Sequence, residues 1–432
     1  MLAVGANSTA IMAALPDMRT ELFLGPDGVQ WAVNAYLVVS AACIVLGGDA
    51  ADRFGARLAS MVGLALFGVA SCIIAAAGTQ SALLAGRALQ GLAAAFAVPS
   101  TLAAVDTSAA PKRRTAAVGA WTGFLMLGFS IGPLVGGALT HVTGWRVIFW
   151  LNVLLMLAAI AGMASAGSAT ARAYAKQSRR ADWIGFVLLA TLMVSLVFGL
   201  HALPHAGAAP LPVVGPFALA ATTFVLLLTV ESRSEAPLVD LSFFARRGFV
   251  MGVAIGSLSM FSIMSLLLYF NLYAQSQEGL GLTALEAGTA LLPLSAALLA
   301  LALSASAVAA RVGLRNAMTG GMALIAIASA IMGVAIAGDG GMVLLAIGFL
   351  VMGTGLAVPY ALAPRLALSA LSPAQAGQGS GIVNACTFLG GSAGVAGGAI
   401  ALALGEFVAV LTMIALAGMI GAALSRGIAE TA

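Results

Sequence analysis

The chain has 432 residues, of which 61% are hydrophobic and only 8% charged. A soluble domain has about a quarter charged residues, so this composition excludes an ordinary soluble protein and points to a polytopic helical membrane protein whose first partner is the lipid bilayer. The formal net charge of +4 comes without a basic patch interleaved with aromatics, which excludes nucleic acid as a partner.

Apolar runs of membrane-spanning length fall near 1–16, 29–50, 56–78, 80–105, 115–140, 146–167, 183–203, 211–230, 249–275, 284–310, 315–337, 341–364, 376–403 and 405–426, giving fourteen predicted spans. The first begins at Met1, reaches only Pro16 and is short; no basic region with a small-residue cleavage site precedes it, so no cleaved signal peptide is expected. Between the second and third runs stands the charged stretch Gly47-Gly48-Asp49-Ala50-Ala51-Asp52-Arg53-Phe54-Gly55-Ala56-Arg57, read as a loop with Gly55 tightening its turn. Cys43, Cys72 and Cys386 lie far apart in apolar runs and form neither a disulfide framework nor a metal set. No metal or cofactor is expected.

The basic residues set an orientation. With fourteen spans, the loops on one side hold Arg53, Arg57, Lys112, Arg113, Arg114, Arg172, Lys176, Arg179, Arg180, Arg233, Arg246, Arg247, Arg311, Arg315, Arg365 and Arg426. The other side holds Arg19 and Arg146, and Arg87 lies inside a span. The bias predicts that both termini are cytoplasmic.

The sequence also echoes itself. Ala51 to Arg57 recurs as Ala309 to Arg315, Ala97-Val98-Pro99 as Ala357-Val358-Pro359, and the glycines of 132–137 as those of 394–398. Eight spans separate the copies, an even shift that keeps them parallel. This spacing predicts an all-α membrane fold of two six-helix bundles related by a pseudo-two-fold axis, plus two inserted helices. The expected units are 1–168, the first bundle; 169–248, a linker with the two extra helices; and 249–432, the second bundle. The polar stretches Ala169 to Asp182 and Glu231 to Gly248 flank the insert.

Few residues carry chemistry. Arg87 lies within the fourth run, and such a residue costs roughly 2.5–3.5 kcal/mol to insert and usually faces a cavity or a partner. Gln90 follows three residues on, on the same face. One reading is a cavity cation that binds substrate or a proton-linked group; the other is a structural arginine bonded to backbone carbonyls. In the fifth run Gly128, Gly132 and Gly136 share a face and allow close helix approach, while Pro133, beside Gly136-Gly137, bends the helix and suits a gate. Asn34 and Tyr36 in the second run, with Asn271, Tyr273 and Gln275 ending the ninth, are few polar groups in an apolar setting, as in a site for a hydrophobic ligand. The alternative is interfacial anchoring of helix ends. No HExxH, GxSxG or phosphate-cradling motif is present, so no enzyme is expected.

Together these motifs resemble the major facilitator superfamily, in its fourteen-span drug:proton antiporter branch. Gly48 to Arg57, with Asp52, Arg53 and Gly55, resembles its signature loop; Arg87, Gln90 and Gly91 its helix-four motif; Gly128, Gly132-Pro133 and Gly136-Gly137 its helix-five antiporter motif. Trp31, Ala35, Tyr36 and Leu37, then Trp145-Arg146 with Ile148-Phe149 and Asn152, then Pro237 to Asp240, then Gly377, Gly381, Asn384, Gly390-Gly391 and Gly394, resemble other parts of that branch. The resemblance implies a monomeric transporter of the bacterial cytoplasmic membrane that exports amphiphilic small molecules, such as drugs, antibiotics or secondary metabolites, by proton antiport with alternating access. Its signature loop, Gly48, Asp49, Asp52, Arg53, Gly55 and Arg57, would latch the cytoplasmic side. One departure bears on coupling: Asn7 stands where the branch usually carries an aspartate, and an amide cannot titrate. A facilitator or symporter without coupling through the first helix, or a non-transporting sensor, is the alternative.

Overall fold

The computed structural model describes residues 1–108, 114–165, 182–203, 211–234, 237–338, 341–372 and 375–428. Among these lie fourteen α-helices and no strand: α1 (Leu2–Glu21), α2 (Pro26–Phe54), α3 (Ala56–Ala75), α4 (Gln80–Ser108), α5 (Arg114–Thr143), α6 (Arg146–Ser165), α7 (Trp183–Ala202), α8 (Leu211–Glu231), α9 (Arg247–Gln275), α10 (Ala284–Ala290), α11 (Leu292–Val312), α12 (Leu314–Ala337), α13 (Gly341–Ser369) and α14 (Ala376–Ser425). Twelve described segments are long and apolar enough to cross a membrane. The helix α1 is not among them, since Asn7, Ser8 and Thr9 interrupt its apolar run and Asp17, Arg19 and Glu21 charge its end. The two last predicted spans count there as one.

The packing repeats. In the first half α1 lies on α5, α2 on α4, and α3 on both α4 and α6. In the second, α9 lies on α14, α11 on α13, and α12 on both α13 and α14. The α7–α8 hairpin is the addition, and α7 rests against α2 and α14. The same correspondence appears in the backbone. Gly55 joins α2 to α3 with φ 89° and ψ 138°, and Gly313 joins α11 to α12 with φ 84° and ψ 144°. Both are left-handed single-residue joints, which glycine adopts without the Cβ clash that other residues meet.

Three expectations change in detail. The charged stretch before Arg57 is not an open loop: α2 runs on as helix through Asp49 and Arg53 to Phe54, and α3 starts at Ala56. The predicted span 284–310 is broken at Leu291 into α10 and α11, because Pro293 at the start of α11 brings no backbone donor and clashes with the preceding turn. The last two predicted spans meet without a loop, at Gly405 and Glu406, whose backbone is not helical. Of the predicted linker from Ala169 to Asp182, only Asp182 lies within the described residues. It caps α7, its Oδ1 accepting from the Gly185 N–H at 2.7 Å.

Close approach between helices rests on small residues. A Cβ on Gly128 would meet Ala6 N at 2.8 Å, one on Gly132 Ala6 O at 2.8 Å, and one on Gly136 the Ala10 Cα at 2.7 Å. The glycine face of α5 is therefore the seat of α1, as four-residue glycine spacing allows.

Candidate functional site

Three consecutive polar residues near the middle of α1 point to three different neighbours, as successive residues of a helix must. Asn7 faces α4 and α6, Ser8 faces α2, and Thr9 faces α5. All three are buried. Thr9 Oγ1 donates to Phe129 O at 3.1 Å, and the Ser8 hydroxyl lies 3.4 Å from the Tyr36 hydroxyl.

Asn7 belongs to a buried network in the middle of the first bundle. Its Oδ1 accepts from Asn152 Nδ2 at 2.8 Å and from Gln90 Nε2 at 3.4 Å, while its Nδ2 lies 3.3 Å from Gln90 Oε1. Gln90 also donates to Ser71 Oγ at 2.9 Å and accepts from Arg87 Nη1 at 2.6 Å. Arg87 Nε donates to Ala32 O at 2.8 Å, and its guanidinium sits 4.6 Å from the centroid of the Tyr36 ring. The network thus ties α1, α2, α3, α4 and α6 together. Arg87 is fully buried, yet its Nη2 has no hydrogen-bond partner. Arg87 and Glu231 are the two buried charged side chains among the described residues, and Glu231 lies away from this network at the end of α8, accepting from Val239 N–H at 3.2 Å.

The surroundings of Arg87 carry a feature of each of its two readings from the sequence. One bond goes to a backbone carbonyl, as a structural arginine requires. One arm remains unpaired against an aromatic ring, which a purely structural arginine would satisfy. Tyr36 in turn reaches the second half, where its ring stands edge-on to Phe388 at 6.4 Å.

The other predicted site residues lie elsewhere. Asn34 accepts from Ser392 Oγ of α14 at 2.9 Å, leaving its Nδ2 unpartnered and buried. Gln275 Nε2 donates to Ala13 O at 3.0 Å, so α9 is fastened to α1. Asn271 bonds back to Leu267 O on its own helix, and Tyr273 stacks on Phe407 at 5.1 Å. The structure therefore brings Asn7, Tyr36, Arg87 and Gln90 together, and uses Asn34 and Gln275 as ties between halves. Sequence reasoning passed over Ser71, and it quoted Asn152 without giving it a part; both look like ordinary polar residues of apolar helices until their neighbours are known.

Helix α5 meets both halves. Beyond α1, Gly137 packs on α10: a Cβ there would meet the Ala284 backbone carbonyl carbon at 3.0 Å, and one on Gly288 would meet Pro133 O at 2.7 Å. At the Gly55 end, Arg53 pairs with Asp49 one turn earlier at 2.7 Å, and Arg57 donates to Met163 O at 2.6 Å and Ala164 O at 3.1 Å at the end of α6. The Asp52 side chain lies outside the described residues. A Cβ on Gly48 would meet nothing, whereas one on Gly47 would meet the Phe96 Cα at 2.9 Å, so Gly47 is the glycine that lets α2 approach α4. At the opposite end Glu21 accepts from Trp145 Nε1 at 2.6 Å and pairs with Arg146, whose Nη2 donates to Ala77 O at 2.9 Å.

The described residues form helices and no strand, packed as two similar halves with a buried, partly unpaired arginine in the first, and twelve segments are long and apolar enough to cross a membrane, as in a multi-pass membrane protein. The sequence model of the Major Facilitator Superfamily matches residues 1–395, and the chain belongs to that family. It is 32% identical over 327 residues to the tetracenomycin C resistance and export protein of Streptomyces glaucescens, a match covering 76% of this chain and 60% of that protein. To the lincomycin resistance protein of Streptomyces lincolnensis it is 29% identical over 401 residues, covering 91% and 81%. The chain thus spans about three fifths of the length of the first of these relatives. The fold is similar to that of a peptide transporter, POT, with a TM-score of 0.70 and 15% identity, covering 99% of this chain and 92% of that one.

Proposed function

We propose that the protein exports amphiphilic small molecules, such as drugs, antibiotics or secondary metabolites, by alternating access coupled to proton entry. The observation that carries this reading is Arg87, a guanidinium held at the centre of a membrane bundle with one arm unpaired. Its insertion is costly, and structure alone does not require the open arm. The resistance and export named for the relatives supports the same reading. In this reading 1–168 and 249–432 are the two moving bundles and 169–248 the insert. Asn7, Tyr36, Arg87 and Gln90 lie on the pathway; Asn34, Asn271, Tyr273 and Gln275 belong to its walls and ties. Gly128, Gly132, Pro133, Gly136 and Gly137 form the gate. The chain works as a monomer in the bacterial cytoplasmic membrane. Both termini are cytoplasmic, on the side where most basic residues fall, and the Gly48 to Arg57 segment latches that side.

Asn7 favours a second reading. The position facing Gln90 and Asn152 holds an amide, and no carboxylate is buried in either bundle among the described residues. A facilitator without coupling through α1 needs none. Transport into vesicles carrying an imposed pH gradient separates the two. Loss of flux on collapse of the gradient supports antiport; unchanged flux supports the facilitator; no flux of any probe removes both and leaves a non-transporting sensor.

A further inference from the structure

Where α9 begins and α14 stops, the surface holds a groove of about 330 Å³. Phe244, Val250, Met251, Ala254 and Leu424 give it an apolar lining, and Arg247 is its one charged lining residue. The local sequence fixes its walls. Asp240 starts the short 3-10 turn Leu241–Ala245, its Oδ1 accepting from the Ser242 N–H at 2.9 Å. Phe243 of that turn is buried, while its neighbour Phe244 is exposed, steadied by the buried Phe249 ring 5.6 Å away. A Cβ on Gly427 would run into the Met251 side chain, so the glycine keeps that side open. Arg247 is the first residue of α9 and Arg426 directly follows α14, so both guanidinium groups stand where a membrane-spanning segment ends. Both are exposed, and neither has a carboxylate partner among the described residues. Ala254 lies about 10 Å deeper than Arg247 along the axis of α9. A cavity of similar volume at the other end of α9, about 370 Å³ and lined by Tyr273, Ala335 and Leu345 among others, has no charged lining residue.

We propose that this groove binds one anionic phospholipid, its phosphate on Arg247 and Arg426 and an acyl chain along Phe244, Val250 and Ala254. The site is separate from the transport reading and does not depend on it. Apolar surface in a bilayer selects no particular lipid, because all the tails are equally apolar; the charges decide the occupant. A guanidinium offers parallel N–H donors to two phosphate oxygens. Its long stem keeps the charge at headgroup level while the methylenes cover apolar surface. Each arginine at the end of a membrane segment favours an anionic lipid by roughly fivefold in affinity. A zwitterionic headgroup brings its own cation beside these two and loses that advantage. With the phosphate at the arginines, the order of residues along α9 sets the start of the chain against Val250 and its deeper part against Ala254.

The test uses the full chain in detergent, titrated with phosphatidylglycerol or with phosphatidylcholine of the same acyl chains, while thermal unfolding is followed. Phosphatidylglycerol should raise the unfolding midpoint saturably, at a half-saturating concentration roughly fivefold or more below that of phosphatidylcholine. Arg247→Gln should raise the value for phosphatidylglycerol roughly fivefold and leave that for phosphatidylcholine unchanged. Arg426→Gln should do the same, and it carries the test if Arg247→Gln lowers the yield of folded protein. Ala254→Phe, which fills the groove, should weaken both lipids alike. An equal response to the two lipids, or a preference that survives both arginine substitutions, overturns the proposal and leaves an ordinary lipid annulus. An Ala254→Phe protein that binds both lipids like the parent overturns it too, because the chain then lies elsewhere. Inorganic phosphate that stabilises as well as the phospholipid would replace the lipid site by a phosphate site. A midpoint that follows protein concentration instead of lipid would give the groove to a second copy of the chain.

Discussion

Asn152 Nδ2 donates to Asn7 Oδ1 over 2.8 Å, so the one polar position of α1 that faces the Arg87 network is held by an amide on each side of the bond. Neither partner can carry a proton at any physiological pH. The same site would hold a carboxylic group of the same shape: Asn152 Nδ2 and Gln90 Nε2 both donate towards one oxygen, while the other, in the place of Asn7 Nδ2, lies against Gln90 Oε1 and can donate to it only when protonated. Asn7→Asp therefore introduces a titratable group beside the network without disturbing its packing. Transport by the variant should depend more steeply on pH than transport by the parent chain. Flux measured over a series of external pH values checks this, and superimposable profiles would place coupling elsewhere.

The glycines make separable predictions. Gly48 stands in helical backbone with open space where a Cβ would go. Gly48→Ala should stabilise the fold by roughly 0.5–1 kcal/mol, since alanine loses less backbone freedom in a helix. Gly136→Val places atoms where the Ala10 backbone runs and should cost about 1–3 kcal/mol as overpacking. Thermal unfolding in detergent would show a raised midpoint for the first and a lowered one for the second. A lowered midpoint for Gly48→Ala would mean that the segment needs glycine there for a reason other than packing.

The tie between Glu21 and Arg146 predicts a pH effect on stability. The hydrogen bond from Arg146 holds the Glu21 carboxyl below the usual carboxylate range; partial burial acts the other way, and the Trp145 N–H adds to the lowering. A depressed folded value means stabilisation that is present above the unfolded value of about 4.3 and lost as pH falls through the folded one. The pair is substantially exposed, with 35% and 48% of its side chains accessible, so screening limits its worth to at most about 1 kcal/mol. Glu21→Gln should lower the unfolding midpoint near neutral pH, and the difference from the parent should shrink as pH falls below about 4.3 and be lost in acid once the folded carboxyl is protonated. An equal difference at both would assign the effect to packing against Trp145.

Much of this fold could be read from residue order. Apolar run length marked the helices, and the echo of Arg53 to Arg57 in Arg311 to Arg315 pointed to joints that have the same backbone angles at Gly55 and Gly313. Four-residue glycine spacing in α5 marked a close-packed face, and α1 lies on it. The partners of that face could not be read, because helix contacts depend on rotation about each axis, which periodicity leaves free in segments apolar all round. For the same reason Asn271 and Tyr273 could be grouped with Asn34 and Tyr36 as polar groups of an apolar setting, while their contacts with Leu267 and Phe407 could not be read.

Arg87 offers the sharpest test of whether the network transports or merely supports. The guanidinium makes two hydrogen bonds in different directions, to Ala32 O and to Gln90 Oε1, and sits over the Tyr36 ring. Arg87→Ala removes all three interactions and opens a space beneath Tyr36, while the remaining helices still carry the apolar length needed for insertion. Flux should therefore fall to background with the protein still present in the membrane fraction. Arg87→Lys retains the charge but not the fork, and an ammonium cannot hold both acceptors and the ring face at once. It should recover little of the lost flux, whereas a chain in which only the positive charge mattered would recover most of it. Flux per inserted molecule, measured for the three proteins side by side, separates the outcomes. Unchanged flux in Arg87→Ala would reduce Arg87 to a packing residue.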